Sequence, residues 1–500
     1  MRIVFVYSDY SGQYGYWNSK RYTPSVASLS AYLKLRGIDS ALVHISSNIS
    51  RYDFLSQLNK HKQDILAFTA ISMSFFQIRK LASWAKQEIN VPTILGGVHA
   101  TLSPEDSISS GYFDYVCRGE GENALREVCR RLQNNIEITN IPNLWIRRNG
   151  EIEKNQVGPL IECLDKLPIP DWEIFDLENV TDFYHLKSIP VLASRGCPYN
   201  CTYCANHAIK AIYPNKNRYT RFRSVNSVIE EIEERKTKYP WLTNVRFLDD
   251  TLALNKDWFL EFTAEYMKRI DMPFSCNERI NHLDDDVVAS YKRAGCFLLE
   301  VGIESGNEEV RNKIMRRGIS NGDIQKALTL CKRYEIGLNT FNIIGVPGES
   351  LRQSLETIEI NARYRPRIAK YFYYKPLPAT VLSELCRTKK FVLPGDSLSL
   401  YDGPAIETNI FSACDQMFIF KYKGIIAFVF QLFDFFPVSV RQKSVNIFSS
   451  ILTSRFFPRK TLVYLSPILV WNRLKIQNIL ARWPWLYRYA KAIWRFLIRK

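Results

Sequence analysis

Three cysteines, Cys197, Cys201 and Cys204, fall within eight residues of RGCPYNCTYCANH (Arg195 to His207), at the spacing C-x3-C-x2-C. The other eight, Cys117, Cys129, Cys163, Cys276, Cys296, Cys331, Cys386 and Cys414, follow no pairing pattern. Three sulfurs this close together form a ligand set, and two metals fit it. Zinc could take them with His207, which follows at C-x2-H, to make a closed tetrahedral site. An iron–sulfur cluster could take them and leave one iron without a protein ligand. A disulfide is disfavoured by the expected compartment. The opening MRIVFVYSDY has one basic residue and an apolar run too short for the core of a secretion signal, so the chain is expected in the cytosol, where thiols stay reduced.

The elements that must position these sulfurs follow from periodicity. A chain of 500 residues, 46% apolar and 23% charged, has room for two or three domains with full cores and is no small disulfide scaffold. Strand-like runs (RIVFVYS, DSALVHI, DILAFTAIS, VPTILGG, FDYVC) alternate with helical patterns, which predicts a doubly wound, Rossmann-like (flavodoxin-like) α/β domain over residues 1–135. Ligands of such sheets sit in the loops after the strands. Gly96 and Gly97 would let backbone approach a large flat ligand, and Gly119, Glu120 and Gly121 open a helix whose N-terminus suits an anionic group; tight turns alone are the alternative. Residues 136–187 read as a hairpin turning at Asn149-Gly150 and a linker holding LDKLPIPDWEIF. Six further strands between helical patterns predict a full or partial (β/α) TIM-type barrel over residues 188–385. The cysteines occupy its first βα loop.

The same region carries a family resemblance. C-x3-C-x2-C with an aromatic, Tyr203, before the last cysteine is similar to the signature of the radical S-adenosylmethionine (radical SAM) superfamily. FLDD (Phe247 to Asp250), LLEVGIESGNEEV and NIIGVPGES resemble its second-, fourth- and fifth-strand motifs, and PLPAT resembles the Pro-x-Pro-Gly-Thr that closes the sixth, with Ala379 for Gly. The resemblance implies a [4Fe–4S] cluster on Cys197, Cys201 and Cys204 whose free iron chelates S-adenosylmethionine. One-electron cleavage then gives a 5′-deoxyadenosyl radical that abstracts hydrogen from substrate. By motif position, Tyr203 lies near adenine, Asp249 or Asp250 holds the methionyl amine, Glu304 or Ser305 the ribose, and Gly345 lets backbone approach adenine. Arg279 pairs with the cofactor carboxylate or is structural. The first domain, with LGGVHATLSPED, YVCRGEGE and LDKLPIPD, looks like that of the cobalamin-binding subclass, which implies cobalamin at Gly96, Gly97, Gly119, Glu120 and Gly121. Many cobalamin proteins carry Asp-x-His-x-x-Gly after the first strand; here Asp9 and Gly12 are present without the histidine. Cobalamin therefore binds without that ligand, or the pocket is vestigial, and His99 is expected to be a loop residue.

The net charge of +17 is unevenly spread: from Cys414 to Lys500, 15 lysines and arginines face two acids, Asp415 and Asp434, a net +13. Residues 386–500 read as a basic, aromatic helical region. Its apolar run GIIAFVFQLFDFFPVSV is interrupted too early to span a membrane, and RLKIQNILARWPWLYRYAKAIWRFLIRK fits either a peripheral helix on an anionic membrane or a cap on the barrel. A nucleic-acid role is not expected. The reading as a whole is a radical SAM enzyme of the cytosol or of the inner face of the membrane, served by an electron donor such as flavodoxin or ferredoxin. It would transfer a methyl group through cobalamin to an unactivated carbon of a small-molecule or lipid-linked substrate. A radical rearrangement, cyclisation or oxidation is the alternative, and a zinc-stabilised, non-catalytic membrane-binding protein is the alternative of another class.

Overall fold

The computed structural model describes residues 1–9, 21–177, 180, 187–393 and 403–466. The first sheet contains β1 (Arg2–Ser8), β2 (Asp39–Ile45), β3 (Ile65–Thr69), β4 (Thr93–Gly96) and β5 (Tyr115–Cys117), parallel in the order β2-β1-β3-β4-β5. Ile3, Val4, Phe5 and Val6 are all buried, without alternation, because helices cover both faces of the sheet. Val4, Val6, Leu66, Phe68 and Leu95 pack one face, and Ile3, Phe5, Ile65, Ala67 and Ile94 the other.

The hairpin of β6 (Leu144–Arg148) and β7 (Glu151–Lys154) forms as its Asn-Gly turn predicts, with Asn149 at φ 49° and Gly150 at φ 85°. It corrects the boundary at residue 135, however. β6 pairs antiparallel with β5 (Tyr115 with Ile146, Cys117 with Leu144), so the hairpin completes the first sheet instead of linking two domains. Backbone groups of β5 that would otherwise form an open edge are thereby paired.

The second sheet contains β8 (Ser188–Val191), followed by a short ladder of β9 (Ser194–Arg195) and β10 (Arg221–Phe222), then β11 (Asn244–Phe247), β12 (Phe274–Glu278), β13 (Cys296–Glu304), β14 (Gly337–Ile344) and β15 (Ile368–Tyr373). Its six main strands run parallel in the order β8-β11-β12-β13-β14-β15, and β8 and β15 stand at opposite edges, so the barrel is partial. Its inner face holds Glu300 between two cations, with Arg246 Nη2 at 2.5 Å and Lys370 Nζ at 2.6 Å. A buried carboxylate is tolerable there because it is doubly paired.

Beyond the barrel, the helices Ala413–Leu432 and Val438–Thr453 share a core with the Leu351–Tyr364 helix through Leu355, Ile358, Phe418, Ile419, Ile426 and Val445. This part of the C-terminal region is the helical body expected. RLKIQNILARWPWLYRYAKAIWRFLIRK lies outside the described residues.

Candidate active site

The cysteine loop is pinned at both ends. Gly196, at φ 86°, passes so close to Tyr219 that a Cβ would fall 2.4 Å from its carbonyl oxygen, so only glycine leads into Cys197. Thr202 N–H donates to Met315 O at 3.0 Å, and its hydroxyl to Ile314 O at 2.7 Å. Cys201 is buried, with Cys197 and Cys204 partly so. Among the described residues no three His, Cys, Asp or Glu side chains converge tightly enough for a single metal ion. His207 holds its Nδ1 2.6 Å from Cys204 O. Three thiols on one loop suit a polynuclear cluster, whose fourth iron is then left without a protein ligand. Burial pushes the thiol of Cys197 up to about 11 and that of Cys204 to about 12, so both are protonated near neutrality and loading iron must release those protons.

Two buried guanidinium groups flank Cys201. Arg279 Nη1 lies 3.9 Å and Arg317 Nη1 4.0 Å from its Sγ. Arg279 also donates to Arg317 O and stacks 3.6 Å over the ring of Tyr199, a residue of the cysteine loop. Tyr199 Oη is 2.6 Å from His282 Nε2, and His282 Nδ1 is 3.0 Å from Glu278. Burial alone would raise the Glu278 carboxyl, but His282, Thr251 and Tyr291 hold it below its usual range. Arg317 Nη1 donates to Tyr203 Oη at 2.5 Å and lies 3.4 Å from Glu304, while Nη2 donates to Gly302 O at 2.8 Å. These partners keep Arg317 cationic against burial. The Nε atoms of both arginines are buried without a partner.

The remaining S-adenosylmethionine candidates divide by geometry. Glu304, at φ 66°, closes β13 beside Arg317, and burial is the stronger influence on its carboxyl, which is raised. Gly302 makes room: a Cβ there would fall 2.3 Å from Glu304 Oε1. Ser305 is fully buried, with its hydroxyl 3.3 Å from Asn307 N, which turns it inward. Asp249 is occupied by its own scaffold, accepting from Ala193 N–H at 3.1 Å and Ser194 Oγ at 2.5 Å. Asp250 instead faces open space, held by Asn206 Nδ2 at 3.0 Å, with its carboxyl raised by burial. Gly345, at φ 86°, donates to Glu349 at 2.7 Å, and the space a Cβ would take there is filled by Gln416 Oε1 instead of standing open to adenine.

A cavity of about 860 Å³ lies between the two sheets, lined by Gly96, Gly97, Gly119, Glu120 and Gly121 from the first and by Ser194, Gly196 and Asp250 from the second. A Cβ on Gly96 would meet nothing within 4 Å, so that backbone is open to a ligand; at Gly97, φ 94°, it would fall 2.7 Å from Ala70 O. Gly96 thus fits a broad, closely approaching group, whereas Gly97 is required by the packing of its own turn against Ala70 and Thr69. Glu120 requires correction. Its carboxylate is bound by Arg195 Nη1 (3.1 Å), Arg221 Nη2 (2.9 Å) and Ile161 N–H (2.8 Å), so it ties the first domain to the barrel instead of offering itself to a ligand. Glu122 adds a second tie to Arg195 at 2.7 Å. His99 is buried, stacked 3.8 Å from Phe75 and bonded to Ser72 and Asp106, and it does not line the cavity. Asp9 accepts from Arg21 N–H and pairs with His44; Gly12 lies outside the described residues.

Comparison with known proteins settles the family. The radical SAM superfamily model matches residues 191–360 and the B12 binding domain model residues 19–129. The chain belongs to the radical SAM superfamily and carries a B12 binding domain. It is 27% identical to an uncharacterized methyltransferase of Pyrococcus horikoshii over 70% of this chain and 75% of that one. It is 24% identical to the anaerobic magnesium-protoporphyrin IX monomethyl ester cyclase of Rubrivivax gelatinosus, over 80% and 71% respectively. In fold it is similar to the cobalamin-dependent S-adenosylmethionine radical enzyme OxsB, with TM-score 0.68, 16% identity and coverage of 98% and 80%. The cofactors of this radical SAM protein are a [4Fe–4S] cluster, S-adenosylmethionine and cobalamin.

For a radical SAM protein, the residue that sequence reasoning missed is Arg317. It follows a single π turn, Val310–Ile314, and Arg316 at φ 53°, a path that no periodicity announces. The available signal was the pair Arg316-Arg317 ahead of Gly318, just past the fourth-strand motif.

Proposed function

We propose that this radical SAM enzyme transfers a methyl group, through cobalamin, to an unactivated carbon of its substrate. Cys197, Cys201 and Cys204 would hold the cluster; Tyr203, Asp250, Glu304, Arg279 and Arg317 would surround S-adenosylmethionine; Gly96 and Gly121 would lie against the corrin ring. When bound, these groups supply one-electron cleavage of S-adenosylmethionine and a transferable methyl group. The protein contributes placement and exclusion of water. Arg279 and Arg317 put two fixed positive charges beside Cys201, and Asp250 presents an acceptor to the shared cavity.

The observation that carries this reading is the cavity itself. Its two walls come from the loops of the B12 binding domain and from Ser194, Arg195, Gly196 and Asp250 beside the cysteine loop, so a group held by the first domain would lie next to the segment that bears the cysteines. Among the described residues, His44, His61, His99, His207 and His282 do not line the cavity; His185 lies outside the described residues, and residues 10–20 contain no histidine. Cobalamin is therefore proposed to bind with its lower face free of histidine. Radical ring formation is the second reading, favoured by the cyclase relative that matches 80% of the chain. A low-potential electron donor of flavodoxin or ferredoxin type, and a cytosolic location, complete the proposal.

The test is incubation of the reduced, reconstituted protein, loaded with cobalamin, with S-adenosylmethionine. Both 5′-deoxyadenosine and S-adenosylhomocysteine are expected. Deoxyadenosine without S-adenosylhomocysteine overturns methyl transfer and favours ring formation, and loss of all corrinoid absorbance on desalting overturns the cobalamin assignment.

A further inference from the structure

Twelve of the twenty-three exposed large apolar side chains among the described residues lie between Ile425 and Leu465. They are not scattered. Ile425, Phe428 and Leu432 recur at i, i+3 and i+7 on the Ala413–Leu432 helix, and Val440, Ile447 and Ile451 at i, i+7 and i+11 on the Val438–Thr453 helix. Each set forms one stripe. Ile419, Ile426 and Phe430 on the first helix and Val445, Ser449 and Leu452 on the second are buried on the opposite sides; Phe418, two turns before Ile425 on the stripe's own side, is also buried, so the exposed stripe begins at Ile425. The turn between the helices adds Phe435, 79% exposed, and Val438, 87% exposed. Folding has therefore buried one face of each helix and left a second apolar face exposed, the kind of contiguous patch that marks an interaction surface.

The charge around this face has one sign. From Cys414 to Ser466 there are seven lysines and arginines and two acids. Both acids are neutralised: Asp434 pairs with Arg365 at 2.8 Å and Arg441 at 2.5 Å, and Asp415 with Arg459 at 2.5 Å. Lys443 lies within the second stripe, and Arg455 and Phe456, both exposed, follow its end. The remaining 34 residues, 467–500, add eight lysines and arginines, four tryptophans and no acid. An aliphatic and aromatic stripe rimmed by cations, continuing into a chain segment of the same composition, complements an anionic bilayer surface. A folded protein partner would call for mixed charge, and a nucleic acid would not cover the aliphatic stripe. Among the described residues no helix is long and apolar enough to cross a membrane, so the contact is peripheral.

We propose that the Ala413–Leu432 and Val438–Thr453 helices form a docking face that seats the enzyme on an anionic membrane, with Ile425, Phe428, Phe435, Ile447 and Ile451 entering the headgroup–acyl boundary. The proposal does not depend on the reaction catalysed.

The full-length protein is floated with vesicles of phosphatidylcholine alone and with vesicles containing about one third phosphatidylglycerol. It is expected to rise with the anionic vesicles only, and less at high salt. Ile447→Asp with Ile451→Asp is expected to weaken partition at least about tenfold, because two apolar anchors are lost and charge is added. These positions are exposed, so the thermal melt should match the parent. Failure to float, or flotation unchanged by the double substitution, overturns the proposal. So does a mass of two copies by light scattering that falls to one copy in the same variant, which would assign the face to a second copy of the chain.

Discussion

Arg317 lies where three acceptors converge, on Tyr203 Oη, Glu304 and Gly302 O, beside the central cysteine. Removing one partner from such a buried set costs more than the set contributes, because the others are left uncompensated. Arg317→Ala should lose about 3–5 kcal/mol of stability in urea unfolding and bind less iron on reconstitution, and Arg317→Lys should recover only part, since an ammonium cannot span the same acceptors. Glu349 gives a pH-dependent counterpart. Burial pushes its carboxyl from 4.5 up to about 7. The folded state thus holds this proton more tightly than the unfolded chain, so the contribution is complete below pH 4.5 and is lost as pH rises through 7. Melting temperature should fall as pH rises from 4.5 to about 7.5 in the parent, and Glu349→Gln should remove a part of that fall worth at most about 3 kcal/mol. At this scale the sequence was legible where chemistry is written locally, as in the three cysteines. It was silent on Arg317 and on the capture of Glu120 by Arg195 and Arg221, because those partners are 75 and 101 residues away along the chain.

At the scale of elements, Gly345 joins the barrel to the C-terminal helices. A Cβ there would fall 2.2 Å from Gln416 Oε1, on the helix Ala413–Leu432, whose Nε2 donates to Ile406 O at 2.9 Å. Gly345→Ala meets both that side chain and an unfavourable φ, a cost of about 1–3 kcal/mol. If the side-chain contact is the larger part, Gly345→Ala should cost less in a Gln416→Ala background, with a coupling of at least about 0.5 kcal/mol in a chemical-denaturation double-mutant cycle. The βα rhythm was legible because period-2 and period-3.6 patterns are set by which face is buried. The docking of the hairpin onto β5 was not, because antiparallel pairing at a sheet edge leaves no periodic mark. The short helices Val98–Leu102 and Pro104–Ser109, read from sequence as a loop, were hidden by the Ser-Pro and Gly-Gly breakers that bound them.

For the whole molecule, Glu120 and Glu122 with Arg195, and Glu120 with Arg221, are the ionic ties between the two halves; they are joined by contacts with neutral groups, Glu120 N–H to Tyr213 Oη at 3.1 Å, Arg195 to Ser28 Oγ at 3.0 Å and Tyr22 packed on Trp172. Glu120→Ala should therefore uncouple the halves more than it destabilises either. Calorimetry should show a single heat-absorption peak splitting into two, where Glu127→Ala, on the Glu122–Gln133 helix and paired only with Arg130 and Arg131 of that helix, should leave one. The shared cavity has a further implication. Because each half supplies only one wall, whatever fills the space works as mortar between two masonry faces. A barrel severed from its companion would retain its sulfur-bearing loop yet have no chamber to enclose a reactant, and swapping the companion for a relative's would change what the chamber admits.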